Sequence, residues 1–360
     1  MKYNLHNLIE INVSEELSPS LKKSIDFQLS YYKINTSNNI IENKLNINPF
    51  PADFVCKEQV ETSNNSSYSG DKYFNREIDF FIQKIPGGFD IKTNGNGFLI
   101  NYFIQLILLS FNKTFIHAAA VRNSDGSVIL FPSHGGIGKT GIVGHLVKNN
   151  YYQLLGDDLV IVGEENSCHS FLRKFVIKNY HFDTYPELID YKSKLSSMSR
   201  KKAITKFIKR NIPFADALKS FASHNLLANK IKNSLMVNDD FLSVSVNKLF
   251  KPTQIAENGV INKVIHLKRY SSNELIINKL NRSEFVNRSI STLLNEWENY
   301  SSMIFNLSSF NYTDFCDYIE KQKMIFGSIY DSTDTYDILI PQDYKIESII
   351  NEMLSKKILQ

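Results

Sequence analysis

The sequence predicts a mixed α/β (or α+β) protein in which a β-rich α/β region precedes a domain built around a phosphate-binding loop. Three observations lead to this fold class. Apolar strand candidates alternate with amphipathic helix candidates beyond residue 98. A glycine-rich loop at residues 133–138 separates an apolar strand from a helix. Two adjacent aspartates then interrupt the next strand, at the distance that one helix and one strand would span.

The first 95 residues predict a small β-rich accessory domain. The expected elements are a helix at 21–32 and strands at 9–13, 40–47, 77–83 and 89–92. The polar stretch 61–72 lacks apolar periodicity and predicts an irregular segment. We therefore expect an accessory domain over 1–95 and a nucleotide-binding domain over 96–360.

The most apolar window, residues 98–111, predicts a buried helix. It is shorter than the ~20 residues that a bilayer span needs, and it contains Asn101 and Gln105. The first residues of the sequence also lack the apolar stretch of a secretory signal. We therefore expect no membrane partner.

From Phe115 the elements follow in a readable order. The run "FIHAAAV" predicts a strand, Asp125-Gly126 predicts a hairpin turn, and "SVILFP" predicts the returning strand. The loop follows, then a helix from about Thr140, and then a strand, "YQLLGDDLVIV", with the two acids at its centre. Further on, "VINKVIHLKR" and "YDILIP" predict strands, while "RSEFVNRSISTLLNEWENY" and "KIESIINEMLSKKI" predict helices.

Composition excludes several function classes. The chain has 360 residues, of which 42% are hydrophobic and 22% charged, so it is neither wholly disordered nor collagen-like. A formal net charge of +4 is far below that of a dedicated nucleic-acid binder. Its three cysteines are scattered, which predicts neither a disulfide framework nor a cysteine metal site. We expect a cytoplasmic protein.

The loop matches the end of the phosphate-loop pattern G-x-x-x-x-G-K-[ST]. Gly138, Lys139 and Thr140 fit that end, whereas Ser133 stands at the position of the first glycine. Backbone N–H groups in such a loop curl around phosphate, and the following helix N-terminus adds its dipole. We expect Lys139 to face solvent and neutralise β- and γ-phosphates, and Thr140 to face Mg²⁺. The predicted ATP-binding set is Ser133, His134, Gly135, Gly136, Ile137, Gly138, Lys139 and Thr140.

Asp157 and Asp158 follow Lys139 by 18 and 19 residues. Adjacent residues of a regular strand point to opposite faces, so either the backbone bends at the acids or they have separate roles. One carboxylate beside Mg²⁺ could accept a proton from a hydroxyl acceptor while its neighbour holds the ion. His117 lies on the strand before the hairpin, where a lone histidine is usually part of the core.

These segments together resemble the core of HPr kinase/phosphorylase and its relatives, which share a fold with phosphoenolpyruvate carboxykinase. The family order is a histidine-containing strand, a hairpin, a phosphate loop, a helix, and a strand with paired aspartates. The specific likeness covers residues 115–162. It implies that Lys139 binds phosphate, Thr140 and Asp158 belong to the metal site, and Asp157 is the general base. His117 would lie close to Asp157 and take part in catalysis.

Three departures separate the chain from the bifunctional enzymes that act on HPr. Ser133 replaces the first loop glycine, and Gly141 replaces the glutamate that follows the Lys-Ser pair in those enzymes. Their Glu-Ile-Arg-Gly-type signature also has no counterpart, since "FLRKFVIKNYHFD" fills that stretch. The resemblance therefore implies a divergent biosynthetic kinase rather than an HPr enzyme.

The densest positive region is residues 192–210, with eight Lys or Arg and no acid. It predicts either a solvated helix or mobile loop, or a lid or docking surface that lends cations to phosphates. Just past the acids, Arg173, Lys174 and Lys178 offer cations that could stabilise transferring charge.

The sequence therefore predicts that the protein is an Mg²⁺- and ATP-dependent kinase that transfers phosphate to a hydroxyl, in the first place a serine of a peptide or protein. A small-molecule acceptor on a conventional phosphate-loop sheet is one alternative, although the hairpin that leads into the loop argues against that sheet. A non-catalytic nucleotide-binding regulator is another. The number of chains that assemble, and whether they form a homo-oligomer, stays open.

Overall fold

The computed structural model describes residues 1–35, 41–51, 61–63, 66–95, 99–149, 151–178, 181–182, 184–191, 242–271 and 273–359. The chain divides into two compact units. One comprises Met1–Lys174 with Phe250–Gln360, and the other is Phe175–Leu249. Mixed sheets and helices confirm the predicted α/β class.

The first sheet is formed by nine strands from the first 93 residues. These strands are β1 (Lys2–Leu5), β2 (Ile9–Val13), β3 (Lys33–Ile34), β4 (Lys44–Asn48), β5 (Glu61–Ser63), β6 (Ser66–Ser69), β7 (Lys72–Asn75), β8 (Phe80–Ile85) and β9 (Gly88–Thr93). Their order is β3-β1-β2-β4-β9-β8-β7-β6-β5, and β4 runs parallel to both neighbours. The prediction of an irregular segment at 61–72 is wrong for β5 and β6, because a polar strand has no apolar alternation to reveal it.

One helix lies within the stretch of chain that forms this sheet, and a second helix follows it. Helix α1 (Pro19–Leu29) begins where the Ser18 side chain accepts a hydrogen bond from the Leu21 N–H, and it buries Leu21 and Ile25. Helix α2 (Leu99–Leu109) confirms the buried helix predicted at 98–111, and its Phe103 ring contacts Phe80 of the sheet. Within the described ranges, no helix is long and apolar enough to cross a membrane.

The remaining strands follow the apolar helix along the chain. They are β10 (Lys113–Ile116), β11 (Ala118–Arg122), β12 (Ser127–Pro132), β13 (Gln153–Gly156), β14 (Val160–Gly163), β15 (Ser167–His169), β16 (Phe175–Ile177), β17 (Leu242–Val244), β18 (Asn258–Tyr270), β19 (Ile276–Lys279) and β20 (Asp334–Pro341). Strands β16 and β17 form a separate antiparallel pair in the smaller unit. The others form the second sheet, in the order β10-β14-β15-β18-β12-β11-β13, with β20 beside β18 and β19 beside β20.

Three neighbouring strands of the second sheet, β12, β18 and β20, run parallel. Their carboxyl ends, at Pro132, Tyr270 and Pro341, therefore lie at one edge of the sheet. In open α/β sheets this edge is where ligands bind. The glycine-rich loop leaves β12 at the same edge.

Strand β10 pairs with β14, and β11 pairs with β13, so that the four strands form one antiparallel ribbon with an interruption in its middle. Ile116 lies opposite Val160, and four residues further along both strands Ala120 lies opposite Gly156. The register is thus the same on both sides of the break, which contains His117 on one strand and the two acids on the other. The predicted strand 115–121 is consequently two strands, divided at His117.

Several helices follow the glycine-rich loop along the chain. Beyond α3 (Lys139–Lys148), they are α4 (Val246–Leu249), α5 (Arg282–Glu296), α6 (Ser301–Ser309), α7 (Phe315–Asp331) and α8 (Ile346–Ser355). Helix α3 packs against β11 and α8, and α5 packs against α7. Helix α4 belongs to the smaller unit.

Candidate functional site

The predicted phosphate loop connects the end of β12 at Pro132 to the start of α3 at Lys139. Gly136 and Gly138 have φ values of +82° and +115°, in the left-handed region that L side chains rarely adopt. A Cβ atom on Gly138 would lie 3.0 Å from Ile346 Cδ1. Gly138 is also the N-cap of α3 and supplies no capping side chain, so no N-cap side chain occupies the first N–H groups of the helix.

Arg269 braces the outer side of the loop. This residue comes near the carboxyl end of β18, and its Nε donates to the Ile137 carbonyl at 3.2 Å. Its Nη1 donates to the carbonyls of Pro341 at 2.7 Å and Tyr344 at 3.2 Å. Sequence reasoning missed Arg269, because only the pairing of β18 with β12 brings it to the loop.

Lys139 is buried, with 6% of its surface exposed, rather than facing solvent as we expected. Its Nζ lies 2.8 Å from His117 Nε2, donates to the Ser133 carbonyl, and lies 3.3 Å from the His134 carbonyl. Burial lowers the pKa of Lys139, while the nearby Asp158 and Asp157 oppose that shift. The lysine is thus held inward among the loop carbonyls and the histidine.

The backbone bends at the two acids, as one of the alternatives from the sequence required. Asp157 Oδ2 accepts a hydrogen bond from Thr140 Oγ1 at 3.2 Å. Its Oδ1 is buried and has no hydrogen-bond partner among the described residues. Burial, reinforced by the charge of Asp158, raises the pKa of Asp157 to about 7.

Asp158 has a different environment. Its Oδ2 is paired with Arg173, and its Oδ1 lies 3.9 Å from His117 Nε2. Burial raises the pKa of Asp158, but Arg173, His117 and Lys139 together outweigh burial and leave the pKa below its usual range. The two adjacent carboxyl groups are therefore shifted in opposite directions.

His117 connects the loop lysine to the acids. It is 2% exposed, and burial lowers its pKa to about 4, so the ring is neutral at pH 7. If Nε2 accepts from the Lys139 ammonium, the proton lies on Nδ1, which is 3.6 Å from Glu296 Oε1. The resemblance implied that His117 accompanies Asp157, whereas the aspartate whose carboxylate lies 3.9 Å from its ring is Asp158. The unbroken register of the ribbon brings these residues together.

Glu296 and Arg173 complete the cluster. Glu296 is the last residue of α5, far from the motifs in sequence, and no local pattern marks it. Burial raises its pKa, which the neighbouring Asp158 raises further. Arg173 was one of three candidate cations past the acids, and the structure singles it out by its pair with Asp158.

The other predicted residues take less specific positions. Ser133 is buried and offers its carbonyl to Lys139, while His134 and Gly135 are exposed. The basic segment 192–210 lies outside the described residues. A cavity of about 480 Å³ opens elsewhere, between β7–β9, α2 and α6, and the described residues that line it include none of the site residues.

Two donor sets could hold a cation. His117, Asp158 and Glu296 each offer an atom within 4.8 Å of the others. Thr140 Oγ1 and Asp157 form an oxygen pair at the start of α3, where the unpartnered Asp157 Oδ1 offers a further oxygen. Oxygen donors suit Mg²⁺, and the histidine-containing set suits a transition metal better.

Comparison with models of known protein families gives no match for this chain, and comparison with curated proteins gives no relative at the significance required.

Proposed function

We propose that this protein is an Mg²⁺- and ATP-dependent kinase with a core like that of HPr kinase and phosphoenolpyruvate carboxykinase. One observation carries the proposal: the phosphate-loop lysine, its threonine, the two aspartates and His117 converge on one edge of the second sheet. Phosphoryl transfer depends mainly on positioning and charge neutralisation, which this set can supply. A cytoplasmic location belongs to the same proposal.

The loop would hold the triphosphate of ATP. The positive φ of Gly136 and Gly138 would let the loop turn its backbone N–H groups towards phosphate, and the α3 N-terminus adds a partial positive charge. Lys139 Nζ lies among the carbonyls of Ser133 and His134 and would exchange these contacts for phosphate oxygens. A charged lysine buried this deeply gains more from phosphate than from neutral carbonyls.

Magnesium would be held by Asp158 through Oδ1, since Oδ2 is paired with Arg173, and by Thr140, whose hydroxyl contacts the adjacent Asp157. The donor chemistry fits, because a hydroxyl and an ionised carboxylate are hard oxygen ligands. When bound, the ion would neutralise charge on the β- and γ-phosphates. Asp158 suits this role because Arg173 keeps it ionised.

Asp157 would accept the proton of the acceptor hydroxyl. A base is most effective when its pKa is near the working pH, and the pKa of Asp157 is raised to about 7. Its Oδ1 has no protein partner among the described residues and could accept that proton. The Thr140 contact favours the reverse assignment, in which Asp157 holds the metal and Asp158 is the base.

The proposed acceptor is a serine hydroxyl in a peptide or protein. A suitable test supplies ATP labelled at the γ-phosphate to a serine-peptide library and, separately, to small hydroxyl compounds. Label that enters peptides at a serine-dependent rate supports the proposal, and label that enters only small molecules favours the metabolite kinase. If neither is labelled while ATP still binds, the kinase assignment is wrong.

A further inference from the structure

Arg173 lies at the electrostatic centre of the site. Its guanidinium is paired with Asp158 and is only 15% exposed. Burial is the largest influence on the pKa of each titratable group around it, and the charge of Arg173 is a further influence on all of them, namely His117, Lys139, Asp157, Asp158 and Glu296. Through Asp158 and His117, whose Nε2 lies 2.8 Å from Lys139 Nζ, Arg173 is linked to the loop lysine.

The segment that carries Arg173, residues 170–174, is tied to helix α1 and the turn after it. Lys174 N–H donates to the Phe27 carbonyl at 3.0 Å, and Lys174 Nζ lies 2.5 Å from Asp26 Oδ2. The Arg173 guanidinium lies over the Phe27 ring, 5.7 Å from its centroid. The backbone and both side chains at this point are therefore held by the N-terminal region.

Tyr32 holds the first residues of the same segment. Its hydroxyl accepts from the Leu172 N–H at 2.8 Å and donates to the Ser170 carbonyl at 2.9 Å. The ring is buried, with 7% of the residue exposed. One hydroxyl thus satisfies two backbone groups on either side of residue 171, which fixes the local path of the chain just before Arg173.

The opposite side of the segment touches the strand that leads to the acids. Phe171 N–H donates to the Leu155 carbonyl at 3.2 Å, and the Phe171 ring lies 4.8 Å from the Phe115 ring. Residues 170–174 are consequently held between the N-terminal region and β13. A shift of α1 would move Arg173 relative to Asp157 and Asp158.

We propose that Arg173 contacts the transferred phosphoryl group and that Asp26, Phe27 and Tyr32 are positioning residues, which makes the N-terminal region part of the catalytic machinery. This inference rests on the proposed kinase function. In the transfer, the bond from γ-phosphorus to the β-phosphate oxygen breaks, a bond to the acceptor oxygen forms, and the hydroxyl proton passes to Asp157. Arg173 neutralises charge on the moving phosphoryl, in addition to pairing with Asp158.

The test compares Arg173→Ala, Tyr32→Phe and Tyr330→Phe in the full chain. Tyr330 is the matched control, because its hydroxyl also donates to a backbone carbonyl, that of Leu280 at 2.9 Å, while its ring contacts Phe285, which is not a site residue. Phosphate transfer to serine peptides gives kcat and the KM for ATP. Hydrogen exchange over residues 170–174 reports on the attachment without requiring catalysis.

We expect Arg173→Ala to lose at least ~10²-fold in kcat with a smaller change in the KM for ATP. Guanidinium ion at millimolar concentration, below denaturing levels, should restore part of the Arg173→Ala rate and leave the wild-type rate unchanged. A purely structural arginine would give no such rescue. Tyr32→Phe should lower kcat roughly tenfold through misplacement of Arg173 and speed exchange at residues 170–174. Tyr330→Phe should do neither.

Two results would overturn the inference. One is a wild-type kcat in Arg173→Ala, or a loss that guanidinium does not rescue. The other is faster exchange in Tyr32→Phe with an unchanged kcat, which would make the attachment structural only. If the wild-type protein transfers no phosphate, the kinase proposal fails, and the role of Arg173 fails with it. Wild-type transfer separates the two failures.

Discussion

Lys139 Nζ and His117 Nε2 lie 2.8 Å apart, although 22 residues separate them in sequence. The contact joins the start of α3 to the break in the ribbon, so the phosphate loop and the acids share one buried histidine. The histidine orients the lysine before any phosphate arrives. Removing either partner should therefore affect function more than folding.

Lys139→Met should abolish ATP-dependent phosphate transfer, with a loss of at least ~10²-fold, because the β- and γ-phosphates lose their buried cation. The variant should remain folded, because burial of an ammonium group opposes folding and methionine has a similar length. Transfer assays and thermal unfolding check both points. The exposed Lys323 of α7 provides a control in Lys323→Met. Full activity in folded Lys139→Met would remove the loop from the mechanism.

The two aspartates should separate in a Mg²⁺ titration. Asp157→Asn should keep ATP and Mg²⁺ binding but lose transfer by ~10²-fold or more, the usual contribution of a general base. Asp158→Asn should raise the Mg²⁺ concentration needed for the half-maximal rate, because an oxygen ligand loses its charge. Acceptor phosphorylation over the titration measures both, with binding of an ATP analogue as the control.

Two outcomes contradict this assignment in different ways. If Asp157→Asn shifts only the Mg²⁺ curve while Asp158→Asn stops transfer at saturating metal, the roles are reversed. The contact of Thr140 with Asp157 would then be part of the metal site. If neither substitution changes transfer, the acids are not catalytic. His117→Ala should lower the rate of phosphate transfer as loss of the base does, but by a smaller factor.

The same two carboxyl groups should affect stability in opposite directions. Burial raises the pKa of Asp157 to about 7, so the stability that this group contributes is complete below its unfolded pKa of about 3.9 and is lost as the pH rises through about 7. Asp157→Asn should therefore stabilise the protein by roughly 1–3 kcal/mol near pH 8, and by less near pH 5. Urea unfolding at both pH values measures the difference.

Asp158 is the matched contrast for that experiment. Its pKa is lowered in the folded protein, because Arg173, His117 and Lys139 outweigh burial. The stability it contributes is present above its unfolded pKa and is lost as the pH falls through the folded value. Asp158→Asn should therefore destabilise the protein at neutral pH. Equal destabilisation by both variants would contradict the opposite shifts.

The loop glycines give a further paired test. Gly138 has a φ of +115°, and an added Cβ would lie 3.0 Å from Ile346 Cδ1, so Gly138→Ala should lower stability by about 1–2 kcal/mol and weaken ATP binding. At Gly135 an added Cβ would meet no atom within 4 Å, so Gly135→Ala should change stability by less than about 0.5 kcal/mol. Thermal unfolding without nucleotide compares the two. Equal losses would mean that the positive φ and the close approach at Gly138 do not make this position specific for glycine.

Much of this site could be predicted because its signals are local. The loop, the start of α3 and the bend at the acids each depend on neighbouring residues, and the hairpin turn at Gly126 has the expected positive φ. The apolar patterns of β12, β18 and β20 likewise match the strands that form. Assembly of these pieces at one sheet edge follows from the parallel pairing of those strands.

The rest of the site depends on contacts between distant segments. Glu296 reaches His117 from the end of α5, and Tyr32 reaches residues 170–174 across more than a hundred residues of chain. No periodicity or motif encodes such contacts. The burial of Lys139 was missed for the same reason, because it depends on the contact of the lysine with His117 of the distant ribbon. The division of the strand at His117 coincides with the bend at the two acids in the paired strand, and neither strand shows it alone.

The central claim is that this loop and these acids transfer the γ-phosphate of ATP to a serine hydroxyl. The most direct measurement follows label from the γ-phosphate of ATP into a serine-peptide library with the wild-type protein, Lys139→Met and Asp157→Asn. The account predicts Mg²⁺-dependent labelling of serine by the wild type, no labelling by Lys139→Met, and ATP binding without labelling by Asp157→Asn. Equal labelling by all three proteins, or ATP binding by the wild type with no transfer to any hydroxyl, would contradict it.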